Sequence, residues 1–304
     1  MEYKDYEKVK GLLREKLSNA DLTTHFGYKL DVRRKELTMM ISTKGLGDNM
    51  QSDAAAFESW AIVLKCYLHE YINTVIINWE TDISENRHFN RFVYRLAKFV
   101  QTYSWAYSAR QLPAIPSILK CNVSNQEAAH ISEHTKDHEG WLECKYVSDH
   151  QSEYDVMDHQ FPVGIFDYVV SRKTHFTTGG KSAIDIWAIK NDELSIFELK
   201  LPDNKPLGII SELMFYTNII DDLLNHNITF DDGKKLDQAI KNDYRGFAKF
   251  FEAYNTGVIK KINSVMLADN LHTLITDDVL QLMNESPRWK YKNIMFIKKT
   301  VSMA

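Results

Sequence analysis

Two short segments, 182–189 (SAIDIWAI) and 194–201 (LSIFELKL), constrain this chain more than any other feature. Both are rich in β-branched and aromatic residues, and Lys190-Asn191-Asp192-Glu193 between them reads as a four-residue hairpin loop. Ile184, Ile186, Ile196, Phe197, Leu199 and Leu201 place apolar side chains on both faces, as strands buried on both sides require. Charges inside such strands need a purpose, because a buried charge without compensation is costly. Three stand there: Asp185, Glu198 and Lys200. Glu198 and Lys200 are two apart on one strand and so project from the same face. Asp185 lies five residues before Lys190 and Glu198 five after Glu193, so pairing across the turn sets their carboxylates directly opposite each other.

Two carboxylates held that close repel unless a cation lies between them, and oxygen-only ligation favours Mg²⁺ or Mn²⁺ over zinc. Such an ion polarises a phosphoryl oxygen and acidifies a bound water, while a neighbouring Lys orients that water or stabilises the transition state. These are the needs of phosphodiester hydrolysis. The Asp/Glu-x-Lys pattern is cheap by itself, since Glu2/Lys4, Glu143/Lys145, Asp203/Lys205 and Asp232/Lys234 also match it. The strand setting singles out Glu198/Lys200. The bland alternative for the same residues is a solvated sheet surface carrying an ion pair.

Ile184-Asp185 followed by Glu198-Leu199-Lys200 resembles the signature of the PD-(D/E)xK superfamily, the restriction-endonuclease-like nucleases, with Ile in place of the family's Pro. Glu212-Leu-Met-Phe-Tyr216 on the following helix is similar to the Gln-xxx-Tyr element of RecB-like members, with Glu in place of Gln. The resemblance covers residues 180–216, roughly an eighth of the chain. It implies a mixed-sheet core flanked by helices, Mg²⁺ dependence and a nucleic-acid substrate, DNA more than RNA. It assigns Asp185 and Glu198 as metal ligands and Lys200 as the catalytic base or charge stabiliser, with Glu212 and Tyr216 in supporting or substrate contacts. Family members often add a Glu from the helix before the sheet, for which Glu133 is the candidate. They also often dimerise to cut both strands, so a homodimer is expected as a partner.

Upstream of the Asp strand, Thr178-Gly179-Gly180-Lys181-Ser182 offers backbone amides, a cation and a hydroxyl suited to phosphate, making Lys181 and Ser182 substrate-binding candidates. It is not a P-loop, since GxxxxGK[ST] is absent.

The remaining pattern is α/β, with a mixed central sheet flanked by helices and preceded by an N-terminal α+β domain. Residues 1–18 read as a charged helix, 25–32 and 36–42 as a hairpin, 53–71 as a helix and 74–79 as a buried strand. A helix capped near Ser84 runs through Tyr107 and stops before Pro113 and Pro116, where a boundary divides domain 1–115 from domain 117–304. Beyond it come a strand at 118–123, a helix opened by a Ser124/Glu127 capping box, a strand at 162–170, helices at 207–224 and 236–254, and strands near 258–267 and 292–298.

No residue from Asn86 to Gln126 is acidic, yet Arg87, Arg91 and Arg95 recur every four residues on a helix. They read as a basic stripe for the phosphate backbone, interleaved with Tyr94, Tyr103, Trp105 and Tyr107; the alternative is a solvated helix face over core aromatics. His130, His134 and His138, with Cys144 nearby, make a zinc site conceivable, although no paired CxxC or HExxH supports it and Glu139-Gly140 reads as a solvated helix end. The three cysteines lack disulfide or zinc-knuckle spacing. A net charge of -4 excludes a polycation that coats DNA non-specifically. With a charged N-terminus and no long apolar run, the chain is expected to be cytoplasmic and away from membranes. A non-catalytic nucleic-acid or protein-binding module that kept the fold is the competing expectation.

Overall fold

The structure, a computed structural model, describes residues 3–81, 86–125, 127, 138–178, 182–201, 206–230 and 233–301. In chain order the elements are α1 (Tyr6–Lys16), β1 (Phe26–Asp31), β2 (Glu36–Ile41), α2 (Thr43–Gly47), α3 (Phe57–Tyr67), β3 (Thr74–Trp79), α4 (Arg87–Thr102) and β4 (Ala106–Ser108). They continue with β5 (Leu119–Cys121), α5 (Glu139–His150), β6 (Val156–Pro162), β7 (Ile165–Asp167), β8 (Ala183–Lys190), β9 (Glu193–Lys200) and α6 (Ile209–Leu224). Last come β10 (Ile228–Phe230), α7 (Lys234–Lys241), α8 (Phe247–Thr256), β11 (Lys261–Ala268), α9 (Asp277–Asn284), α10 (Pro287–Tyr291) and β12 (Ile294–Thr300). The fold is α/β, with mixed sheets flanked by helices. Among the described residues no helix is long and apolar enough to cross a membrane.

The chain packs as two units. One holds Met1–Ile115, Pro206–Glu212 and Leu271–Tyr291; the other holds Pro116–Lys205, Leu213–Asn270 and Lys292–Ala304. The expected partition at the proline segment therefore needs a correction, because two later segments join the N-terminal part. Tyr103 in that part donates from its hydroxyl to the Met283 carbonyl (3.3 Å) and Ser286 donates to that of Thr102 (2.7 Å), which explains why α9 and α10 belong there.

In the first unit, β1-β2-β3-β4 form a sheet that is antiparallel at β1/β2 and parallel thereafter. Helix α4 starts after Asn86, whose side chain accepts from His88 N, and ends at Thr102, short of the expected Tyr107. The chain leaves the helix there because Ala106 pairs with Val75, extending the sheet by β4. The expected cap Ser84 lies outside the described residues.

In the second unit the central sheet runs β12-β11-β9-β8-β6, parallel at β12/β11/β9 and antiparallel at β9/β8/β6. One face carries Ile186, Ala188, Phe197, Leu199, Val265 and Leu267, packed with Leu142 and Tyr146 of α5. The other carries Trp187, whose ring meets Phe161 and Phe250 edge-on at 5.7 and 5.6 Å. Strands with both faces covered show continuous rather than alternating burial, as β9 does.

Three local expectations change here. The strand placed at 162–170 is two strands, β6 ending at Pro162 and β7 beginning at Ile165. The helix placed at 236–254 is broken into α7 and α8 by a left-handed turn at Asp243, Arg245 and Gly246 (φ 48°, 53° and 69°). Gly246 is required there, since a Cβ would stand 2.9 Å from Val156 Cγ2 and 3.1 Å from Trp187 Cζ2. Glu139-Gly140 begins a helix rather than ending one. His138 is its N-cap, with Nδ1 accepting from Gly140 N (3.1 Å), so Glu139 and Gly140 open α5.

Candidate active site

The site begins with a turn. Lys190 pairs with Glu193, so Asn191 and Asp192 alone connect β8 to β9, and Asn191 takes the left-handed conformation (φ 56°) that such a two-residue turn needs. The loop is thus two residues shorter than the sequence reading, and the register is unchanged by this. Rungs run from Lys190↔Glu193 to Ile186↔Phe197, where the ladder ends one position short of Asp185 and Glu198. The Asp185 carboxylate accepts from Leu199 N at 2.8 Å, which ties it to the strand that bears Glu198 and Lys200.

Glu198 and Lys200 are 1% and 3% exposed, whereas Asp185 is half-buried. The Lys200 ammonium lies against Glu198 Oε1 and stands 3.9 Å from Glu139 Oε1 of α5. Withdrawing charges from water costs several kcal/mol per ion, and pairing inside the protein repays that only where the geometry is good. A hydrophobic pair would fill the space more cheaply. The solvated-surface alternative is inconsistent with this burial, although burial alone does not assign a function.

A second layer surrounds these residues. Rungs His159↔Ile186 and Phe161↔Ile184 leave Gln160 opposite Asp185, where Gln160 is left-handed (φ 58°). Its amide donates to Glu143 Oε2 of α5 (2.7 Å), and its carbonyl accepts from the Arg245 guanidinium (3.1 Å). Arg245 is itself left-handed, so two non-glycine residues in strained backbone meet beside the carboxylates, a pattern that clusters at functional sites. Burial pushes the Glu143 carboxyl up, opposed by the Gln160 hydrogen bond and the nearby His159 and Arg245, and reinforced by Glu139. Burial likewise lowers Arg245, against the pull of Asp158 and Glu143.

Sequence reasoning missed Glu139, Glu143, Gln160 and Arg245. Glu139 and Glu143 carried a usable signal, four residues apart with Leu142 and Tyr146 at helical spacing, but Glu143/Lys145 was weighed only as a match to the Asp/Glu-x-Lys pattern. In the structure Glu143 is helical. Glu133, the expected helical Glu, lies outside the described residues, as do Lys181, His130 and His134. Ser182 is described and donates to the Thr178 carbonyl (3.3 Å).

Other expected site residues are elsewhere. Glu212 is buried in the first unit and accepts from Gln51 Nε2 (2.8 Å); Tyr216 is buried in the second, beside Phe215. The basic stripe is corrected, because Arg91 and Arg95 face inward. Arg95 grips Glu58 and donates to the Ala55 carbonyl (2.9 Å), and Arg91 donates to that of Asp48 (2.7 Å). Arg87 remains exposed. Spacing reveals that three arginines share a helix face, not whether the face is wet.

Among the described residues no group of three or more His, Cys, Asp or Glu is arranged to hold a metal ion. His138 is occupied as a helix cap, and Cys144 Sγ lies 3.9 Å from His159 Nε2. Asp185 and Glu198 nevertheless supply the hard oxygen donors that Mg²⁺ takes, and Mg²⁺ keeps several waters rather than demanding a full protein cage. The donor set fits such an ion. No protein-family model, curated protein or solved structure matches this chain.

Proposed function

We propose that this protein is a Mg²⁺- or Mn²⁺-dependent nuclease of the PD-(D/E)xK kind, hydrolysing phosphodiester bonds in DNA rather than RNA, in the cytoplasm and as a homodimer. The observation that carries this reading is the Asp185 carboxylate accepting from Leu199 N, the residue between Glu198 and Lys200, with Lys200 lying against Glu198. Asp185 and Glu198 would hold the ion, which when bound supplies charge neutralisation at the scissile phosphate and a more acidic water. Lys200, held between Glu198 and Glu139, is placed to orient the attacking water and to donate to the charge growing on phosphoryl oxygen. Glu143, with its carboxyl shifted up by burial, can hold a proton that an ordinary carboxylate would lose. Gln160 and Arg245 fix where that carboxyl sits.

A non-catalytic binding module is the second reading. It is favoured by the closed Lys200–Glu198 contact, which engages the Lys and one ligand oxygen with each other. Cleavage of plasmid, linear duplex and single-stranded DNA and RNA, with Mg²⁺ or chelator, separates the two. The nuclease loses cutting in chelator, and Lys200→Ala lowers its rate roughly 10²- to 10⁴-fold. Nucleic-acid binding indifferent to Mg²⁺, with no cleavage of any substrate, establishes the module instead.

A further inference from the structure

In the first unit the β1-β2-β3-β4 sheet has two unlike faces. Tyr28, Met39, Ile77 and Trp79 are buried on one side, where the Trp79 ring meets Phe92 of α4 at 5.4 Å. The alternate positions are half-buried or exposed, and the register sets them in rows. Gly27, Met40 and Asn78 make one row; Lys29, Thr38, Ile76 and Tyr107 make the next.

Gly27 brings no side chain to its row, and Tyr3 takes the space. A Cβ at Gly27 would stand 2.8 Å from Tyr3 Cβ and 3.2 Å from Tyr3 Cγ. At the far end of the ring the Tyr3 hydroxyl accepts from Asn78 Nδ2 (2.9 Å), two strands away. The ring therefore runs across β2 along the row instead of standing up from it, a close approach that a strand glycine permits. Asn78 is oriented for this, because its Oδ1 accepts from Trp79 N (2.9 Å) and Arg110 Nε (3.1 Å) and so turns Nδ2 towards the tyrosine. Asp5 ties the same segment to the sheet edge, its N donating to the Tyr28 carbonyl (3.1 Å) and its carboxylate accepting from Leu30 N (2.7 Å). Tyr3 is half-buried, and Tyr107 in the neighbouring row is 52% exposed.

The charge beside these rings has a sign. Residues 29–36 carry Lys29, Arg33, Arg34 and Lys35 against Asp31 and Glu36, in a chain whose net charge is -4. All four cations are exposed. The Asp31 carboxylate serves its own turn, accepting from Arg33 N (3.0 Å) and Arg34 N (3.1 Å) and lying 3.9 Å from Arg34 Nε.

We propose that this outer sheet face binds an unpaired strand of nucleic acid, with bases stacking on Tyr3 and Tyr107 and phosphates meeting Lys29 and the basic turn. Flat rings beside exposed cations match a base joined to a phosphate, and stacking flush on a ring needs a base that is not paired in a duplex. The surface belongs to the unit that does not hold Asp185, Glu198 and Lys200, so the inference stands apart from the nuclease reading.

Fluorescence anisotropy of the full chain in chelator tests it, with single-stranded DNA and RNA of one sequence, the corresponding DNA duplex, and an abasic DNA strand of the same length. A single strand is expected to bind more tightly than the duplex and the abasic strand. Tyr107→Ala, at an exposed position, should weaken that binding roughly tenfold, and adding Tyr3→Ala should weaken it by a similar factor again, whereas Tyr3→Phe keeps the ring and the binding. Lys29→Gln with Arg33→Gln should make binding less sensitive to salt. The proposal is overturned if neither single strand binds, if the duplex or the abasic strand binds as tightly, or if removing the two rings leaves binding unchanged.

Discussion

Each unit buries an ion pair, and the two pairs are built to different ends. In the first, Arg95 meets Glu58 through two nitrogens, spends a third hydrogen bond on the Ala55 carbonyl and lies 4.9 Å from the Phe57 ring centroid. One cation faces one carboxylate, with planar geometry that satisfies both. In the second, Lys200 is a single point charge amid Glu198, Glu139 and, bound to Leu199 N, Asp185. Among the described residues, three carboxylates are gathered about this one ammonium. A one-to-one pair is what a helix–helix core tolerates; several carboxylates gathered about one ammonium are what a site suited to an incoming cation gathers.

The comparison can be broken most severely at Arg95. Arg95→Met strands the Glu58 carboxylate in the core and should cost about 3–5 kcal/mol in urea unfolding, while pairing it with Glu58→Leu should recover most of the loss. No recovery in the double variant would mean that the guanidinium serves packing more than charge. Asp185→Asn should do the opposite, removing one of the gathered negative charges while keeping an oxygen for Leu199 N, and raise stability by about 0.5–2 kcal/mol. A loss of stability there would show that the acidic row is balanced after all.

The smallest effect is a slope. Burial raises the folded Glu143 pKa above its ordinary value of 4.5, so the folded state holds the proton more tightly than the unfolded state. Its contribution is therefore fully present below the unfolded value and is lost as pH rises through the folded one. Glu143→Gln, which can still accept from Gln160, should flatten that decline in denaturation midpoints measured across the acid range. An unchanged slope would place the titration on another group.

What could be read from sequence follows range of interaction. The hairpin and most strands were legible because period and turn chemistry are local, and counting from the turn brought Asp185 to the strand of Glu198 and Lys200. Arg95 was misjudged because its partner lies 37 residues earlier, on another helix. Strand β6 was overlooked since Asp158, His159 and Gln160 dilute its apolar pattern and Gln160 leaves extended backbone altogether. The broken helix at 243–246 was missed because Asp243 and Arg245 adopt a conformation their residue types do not announce.

The turn at Asn191-Asp192 works as a ruler. Five rungs separate it from the carboxylates, yet their meeting depends on its length, because strand pairing allows only whole-residue steps. One inserted residue would leave the apolar composition intact and slide one strand by a step, turning Glu198 and Lys200 to the opposite face relative to Asp185. The core would retain material enough to fold, while the chemistry would lose its address. Length at this surface turn is thus under a tighter constraint than the identity of many buried side chains.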